Sequence, residues 1–166
     1  GENYMIMKKI LITICIFLMV NNVHSQNSNE EIESFLRDFY ISYNNAHIKC
    51  RDEIRDGIDG AFKTLMNTLD SLHQTYCTKH LINKMFDNGY DEGYDILMWM
   101  SSDNIETIKS MSITQDSSQK NMYHISYNAE YYYDPTIKKY MEVKFRVVVI
   151  EEDGVFKIDD VFDYQF

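Results

Sequence analysis

The chain has 166 residues, with 16 Lys and Arg against 26 Asp and Glu, for a net charge of −10. One domain's worth of chain, 45% hydrophobic and 25% charged, excludes a disordered polymer. The acid excess argues against a nucleic-acid surface, which needs a net basic patch to meet phosphates.

The N-terminus reads as an address. Lys8 and Lys9 precede an apolar run from Ile10 to Val20, broken only by Thr13. A polar stretch follows, and Val23 and Ser25 stand at the −3 and −1 positions of a signal-peptidase site before Gln26. That is the three-part layout of a secretory signal. The run is also shorter than the roughly 20 residues a bilayer span needs. The expectation is an upstream extension plus signal peptide over 1–25, then a single domain over 26–166. It would be exported to the periplasm or out of the cell, with no stable membrane anchor after cleavage.

Ser28-Asn29-Glu30-Glu31 has the pattern of a capping box and predicts a helix start there. Ile32, Phe35, Leu36, Phe39, Tyr40 and Tyr43 then repeat at helical spacing and predict one apolar stripe. Gly57 and Gly60 punctuate a polar connection. Phe62, Leu65, Leu69, Leu72 and Tyr76 predict a second helix, and Leu81, Ile82, Met85 and Phe86 continue in another phase, so a break is expected near Thr78. Gly89 is the expected cap of that segment. A short third helix is expected between Tyr90 and Met100.

After Asp103 the period changes to two. Ile105, Thr107, Lys109, Met111 and Ile113 predict one strand, and Tyr123, Ile125, Tyr127, Ala129, Tyr131 and Tyr133 the next, with a turn at Asp116-Ser117-Ser118. Met141, Val143, Phe145, Val147 and Val149 line one face of a third strand, with Glu142, Lys144 and Arg146 on the other. Asp153-Gly154 is a hairpin signal before a last strand from Val155 to about Phe162. Helices first and a meander second predict an α+β fold: N-terminal helices packed on a curved antiparallel sheet of about four strands.

Three residue sets carry candidate chemistry. Cys50 and Cys77 are the two thiols left after signal removal, and an oxidising compartment favours their pairing. A bond between them would stabilise by roughly 3–4 kcal/mol on the chain-entropy model. The alternatives are a zinc site, in which His47-x-x-Cys50 and Cys77-x-x-His80 converge from two helices, or two buried free thiols. Six acids between Asp87 and Glu106 form an acidic face or a weak calcium site, although their spacing fails the helix-loop-helix calcium pattern. His73 and His124 are isolated along the chain. No nucleophile elbow or phosphate-cradling loop is present, and no cofactor is expected.

Phe39-Tyr40 with Tyr43, Tyr76-Cys77-Thr78 with Leu81, and Gly154-Val155-Phe156-Lys157-Ile158-Asp159-Asp160-Val161 carry a resemblance. With the element order, they make the chain similar to the cone-shaped nuclear-transport-factor-2-like, or cystatin-like, superfamily. Within it, the chain resembles a secreted bacterial family known as domain of unknown function 3828. The resemblance implies a fold and a compartment, and no established activity. Proteins of that superfamily use the hollow of the cone for small molecules. That implies a candidate pocket lined by Tyr40, Tyr43, Tyr76, Trp99, Tyr127 and Tyr131, against the plainer reading of these residues as core and half-buried strand aromatics. Some isomerases there pair a buried carboxylate with a tyrosine donor, and Asp95 with Tyr40 or Tyr127 would be that pair.

The leading expectation is an exported, non-enzymatic binding domain. Its partner would be a small ligand in the cone or a basic protein, as for an immunity protein or inhibitor, since an acidic surface steers basic partners. A cone-pocket isomerase or hydrolase and a structural homodimer, paired through the face carrying Glu142, Lys144, Arg146, Val148 and Ile150, are the alternatives.

Overall fold

A computed structural model describes residues 2–87, 97, 105–134 and 137–165. The chain divides into two compact units, Gly1–Ser34 and Phe35–Phe166. Among the described residues, four helices precede four strands: α1 (Glu2–Arg55), α2 (Ala61–Tyr76), α3 (Lys79–Asp87) and α4 (Ile105–Ser110), then β1 (Ser112–Gln115), β2 (Met122–Asp134), β3 (Ile137–Glu152) and β4 (Val155–Gln165). The strands form one antiparallel meander in the order β1-β2-β3-β4. The fold is therefore α+β, as its periodicities predict.

The first unit is the helical backbone of α1 up to Ser34. The expected helix start at Ser28 is corrected, because the backbone is already helical there. No Gly or Pro falls between Glu2 and Arg55, so nothing in the sequence halts the helix at that point.

In the second unit, α1 buries the predicted stripe: Leu36, Phe39, Tyr40 and Tyr43 are at most 1% exposed. The helix ends in a paired-bond cap. The Ile58 amide donates to the Glu53 carbonyl, the Gly57 amide donates to the Ile54 carbonyl, and Gly57 has φ 74°. Glycine adopts that left-handed conformation without a Cβ clash.

Helix α2 buries Ala61, Leu65, Leu69 and His73, all four residues apart. This shifts the predicted stripe by one position at its start. Phe62 is 65% exposed, because it stands about 100° around the helix from Ala61. His73 takes the fourth inward place and is a core residue.

The break near Thr78 is present. Cys77 is extended (φ −107°, ψ 154°) and bridges Ile158 of β4 in parallel. Thr78 then starts α3, its Oγ1 accepting the Leu81 amide at 3.2 Å. Helix α3 buries Leu81 and Met85. The expected cap at Gly89 and short helix between Tyr90 and Met100 lie outside the described residues, save Leu97, which is buried.

The strand expected over Ile105–Ile113 is corrected in its first half, which is helix α4. The reason lies in β2. Strand β1 pairs with β2 only as far as Ser112 opposite Ser126, which leaves the Asn128 backbone without a strand neighbour on that side. Helix α4 supplies the partners: Thr107 Oγ1 donates to the Asn128 carbonyl (3.2 Å), and the Asn128 amide donates to Ser110 Oγ (2.9 Å). Side-chain hydroxyls thus continue the ladder that β1 abandons.

The other strands follow the pattern closely. Tyr123, Ile125, Tyr127 and Ala129 of β2 are buried, as are Val143, Phe145, Val147 and Val149 of β3. They meet in register as Tyr123 with Val147, Ile125 with Phe145 and Tyr127 with Val143. The β3–β4 hairpin turns on Asp153 (φ 53°) and Gly154 (φ 76°). Two successive positive φ angles define the tight turn whose twist matches paired strands. Strand β4 runs beyond Phe162, to Gln165. The core lies between the inner sheet face and the buried stripes of α1, α2 and α3.

Candidate binding site

The aromatic residues expected to line a hollow are packed against one another. The Tyr40 ring meets Phe39 at 5.0 Å and Phe145 at 5.8 Å, both edge-on. Tyr127 meets the same Phe145 ring at 6.1 Å. Tyr43 lies against Phe39, His47 and His73, and half-buried Tyr76 against Phe35 and Phe39. Tyr40, Tyr43 and Tyr127 are at most 1% exposed. Asp95 and Trp99 lie outside the described residues, and so does the side chain of Tyr131. Of the acidic run after the second helix, Asp91, Glu92, Asp95 and Asp103 also lie outside them.

Cys50 and Cys77 are buried, free thiols, so the expected pairing is not formed. Burial pushes the Cys77 pKa up to about 12, against a smaller opposite pull from Lys157. A thiol so rarely ionised is a poor nucleophile and a poor metal ligand near neutral pH. The zinc alternative is corrected as well. Among the described residues no group of three or more His, Cys, Asp or Glu side chains is placed to hold a metal, and His47, Cys50, Cys77 and His80 do not form one. The physical reason is local: Cys77 has left the helix and serves as a bridge residue, so it shares no helix face with His80.

Burial also pushes the His73 pKa below its ordinary value, with Asp70 pulling weakly the other way. His73 is therefore neutral in the fold, whereas the unfolded chain takes up a proton as pH falls through its ordinary pKa. The unfolded state then binds more protons, so this contribution to stability is present above that pKa and is lost as pH falls toward the depressed one. The urea midpoint is expected to drop between about pH 7 and pH 5 by a component that His73→Leu lacks. An identical pH slope in the variant would remove this account.

The three segments that carried the family resemblance converge. The Thr78 amide donates to the Ile158 carbonyl at 2.9 Å, and Thr78 Oγ1 donates to Asp159 Oδ1 at 2.8 Å. Lys157 Nζ donates to the Gln74 and Thr75 carbonyls at the C-terminal end of α2. Lys84 pairs with Asp160. Phe35 joins Phe156 at 6.0 Å and Tyr76 at 5.4 Å, and Phe39 joins Tyr76 at 5.3 Å. Each contact satisfies a helix end, ties a helix to β4 or joins α1 to α2, which is structural work.

A site not singled out from sequence lies on the sheet face turned away from the helices. Residues directly opposite on paired strands share a face. One row across β1, β2 and β3 is Thr114, His124 and Arg146, and the next is Ser112, Ser126 and Lys144. These six line a groove of about 450 Å³. Two of its groups are held in place. Arg146 lies over the Phe162 ring at 4.7 Å, with a guanidinium nitrogen 3.4 Å from Met122 Sδ. His124 Nε2 is 2.7 Å from Asp116 Oδ2.

Asp116 is itself fixed by the turn. Its Oδ1 accepts from the Ser118 amide, the Ser118 hydroxyl and the Gln119 amide. The Ser118 hydroxyl, then His124 and the backbone amides, hold its carboxyl far below the usual carboxylate range. An ionised Asp116 accepts a hydrogen bond from Nε2–H, which leaves Nδ1 as the other face of the imidazole. The signal for this pair was the turn, because a hairpin closing Thr114 onto His124 carries Asp116 to the same ring. Distance along the chain hid it.

No protein-family model and no curated protein matches the chain. Helices followed by a four-stranded antiparallel sheet define its class as an α+β domain. A crystal structure of a protein of unknown function from Bacteroides thetaiotaomicron is similar, with a TM-score of 0.66 over 88% of this chain and 99% of that one. The two are 20% identical, so the likeness shows a shared fold. Among the described residues, no helix is long and apolar enough to cross a membrane.

Proposed function

We propose that the protein is an exported binding domain, not a catalyst, of the nuclear-transport-factor-2-like kind, and that it engages its ligand across the outer face of the sheet. The observation that carries this reading is the division of labour between the two faces. The inner face is packed, with Tyr40 and Tyr127 both resting on Phe145. The outer face offers hydroxyls and cations around a groove of a size that suits a small ligand. The arrangement of the N-terminus, with two lysines, an apolar run and a cleavage pattern, supports export and a single domain over 26–166.

Hydrogen–deuterium exchange tests the proposal, with the protein incubated in a small-molecule extract of spent growth medium. Protection is expected in β1, β2 and β3, with a bound species visible by native mass spectrometry. Protection confined to the helices, or no bound species, would refute it. A basic protein partner is the second reading. It is favoured by the exposed acids Glu151, Glu152 and Asp153 at the β3–β4 hairpin, and it predicts capture at low salt that fails when these three are neutralised.

A further inference from the structure

Resting on the reading that the outer sheet face is the binding surface, we infer that the groove takes an oxyanionic group of a small ligand. Arg146 and Lys144 supply the charge, and Ser112, Thr114 and Ser126 supply hydroxyl donors. The argument is one of complementarity. The whole chain carries −10, yet among the described residues the lining of this groove holds Lys144, Arg146 and His124 and no acidic residue. Asp116 and Glu142 flank it. Asp116 is committed to its turn and to His124. Glu142 meets Lys144 at 2.8 Å, but both side chains are more than half exposed, and such surface pairs are worth little and yield readily to a better anion.

Arg146 is the anchor. Its guanidinium is planar and suited to two parallel bonds with a carboxylate, sulfate or phosphate. Stacking on Phe162 orients it before a ligand arrives, and preorganisation lowers the cost of binding. The hydroxyl side chains stand on neighbouring strands: Ser112 is opposite Ser126, Thr114 is opposite His124, and Arg146 is opposite His124 on the other side. A tetrahedral or planar oxyanion above Ser126 and His124 would therefore meet donors from three strands at once.

The test is a titration of the full chain at low ionic strength with inorganic phosphate, sulfate, citrate and, as a neutral control, glycerol, followed by amide chemical shifts. The expected result is saturable shifts confined to residues 112–114, 124–126 and 144–146. Affinity should fall about tenfold or more in Arg146→Gln and in Lys144→Gln. Lys144 is exposed, so its variant tests charge without threatening the fold. Tighter binding of citrate than of phosphate and sulfate identifies a carboxylate source, and the reverse a phosphate or sulfate source. Shifts that are absent, spread over the whole surface or unchanged in both variants would overturn the inference. Equal shifts with glycerol would also overturn it, while leaving the outer face standing as the binding surface. So would sedimentation showing the face closed by a second copy of the chain.

Discussion

Phe145→Ala is expected to lower the unfolding free energy by about 3–5 kcal/mol, the range for truncating a buried aromatic. Phe145 is 2% exposed and stands opposite Ile125 in the sheet. It is also the ring on which Tyr40 and Tyr127 both rest, at interplanar angles of 64° and 77°. Edge-on pairs of this kind contribute about 0.5–1.5 kcal/mol each beyond the area they bury. The variant therefore loses the transfer energy of the ring and both pairs, and gains a cavity. For a domain whose total stability is of order 5–15 kcal/mol, that is a large fraction. Lys144→Ala, one residue away, is expected to change stability by less than about 0.5 kcal/mol, because its side chain points to the other face. Urea unfolding followed by far-ultraviolet circular dichroism measures both. A loss below about 1.5 kcal/mol for Phe145→Ala would mean that the inner face is loosely filled. A ligand between the sheet and the helices would then regain its appeal.

Period carried most of the fold into view. Alternation in β2 and β3 is strict because one face is buried and a slip of one residue would invert it. Tyr123 to Ala129 and Val143 to Val149 accordingly lie where their pattern puts them. Two helices were less legible. Residues 105–110 alternate by chance, and what decides their state is the uncovered Asn128 backbone, which no local pattern encodes. In α2 the inward line is completed by His73, which a hydrophobic count passes over, whereas Phe62 counts as core and faces solvent.

The candidate site was the least legible part. Ser112, Thr114, His124, Ser126, Lys144 and Arg146 come from three strands, and as isolated polar residues they look like any solvated sheet face. Only register brings them into two rows. The cysteines failed for the opposite reason. Their types and spacing were suggestive, but the backbone at Cys77 turns from helix to bridge and dissolves the shared face that the zinc reading needed.

Thr78→Val is expected to cost about 2–3 kcal/mol and to leave anion affinity unchanged. The substitution keeps shape and removes the hydroxyl, which does two things. It donates to Asp159 Oδ1 at 2.8 Å and accepts the Leu81 amide at 3.2 Å. Losing a helix cap costs about 0.5–2 kcal/mol, and losing a hydrogen bond to a charged group about 1.5–3. The two share one oxygen, so they do not simply add. Thr78 is 4% exposed, which makes replacement of its hydroxyl by solvent difficult. Thr78→Ser retains the oxygen and should recover most of the loss. In a double-mutant cycle with Asp159→Asn, the two sites should couple by about 0.5–3 kcal/mol, as directly bonded neighbours do. The Thr78 amide bond to Ile158 uses neither substituted side chain, so the cycle isolates the side-chain link. The groove lies on β1, β2 and β3, whereas this link joins α3 to β4. If Thr78→Val weakens phosphate binding as much as Arg146→Gln does, the separation of scaffold from site fails. If it weakens stability alone, the segments that most resemble a family motif serve the fold, and the residues that serve binding lie elsewhere.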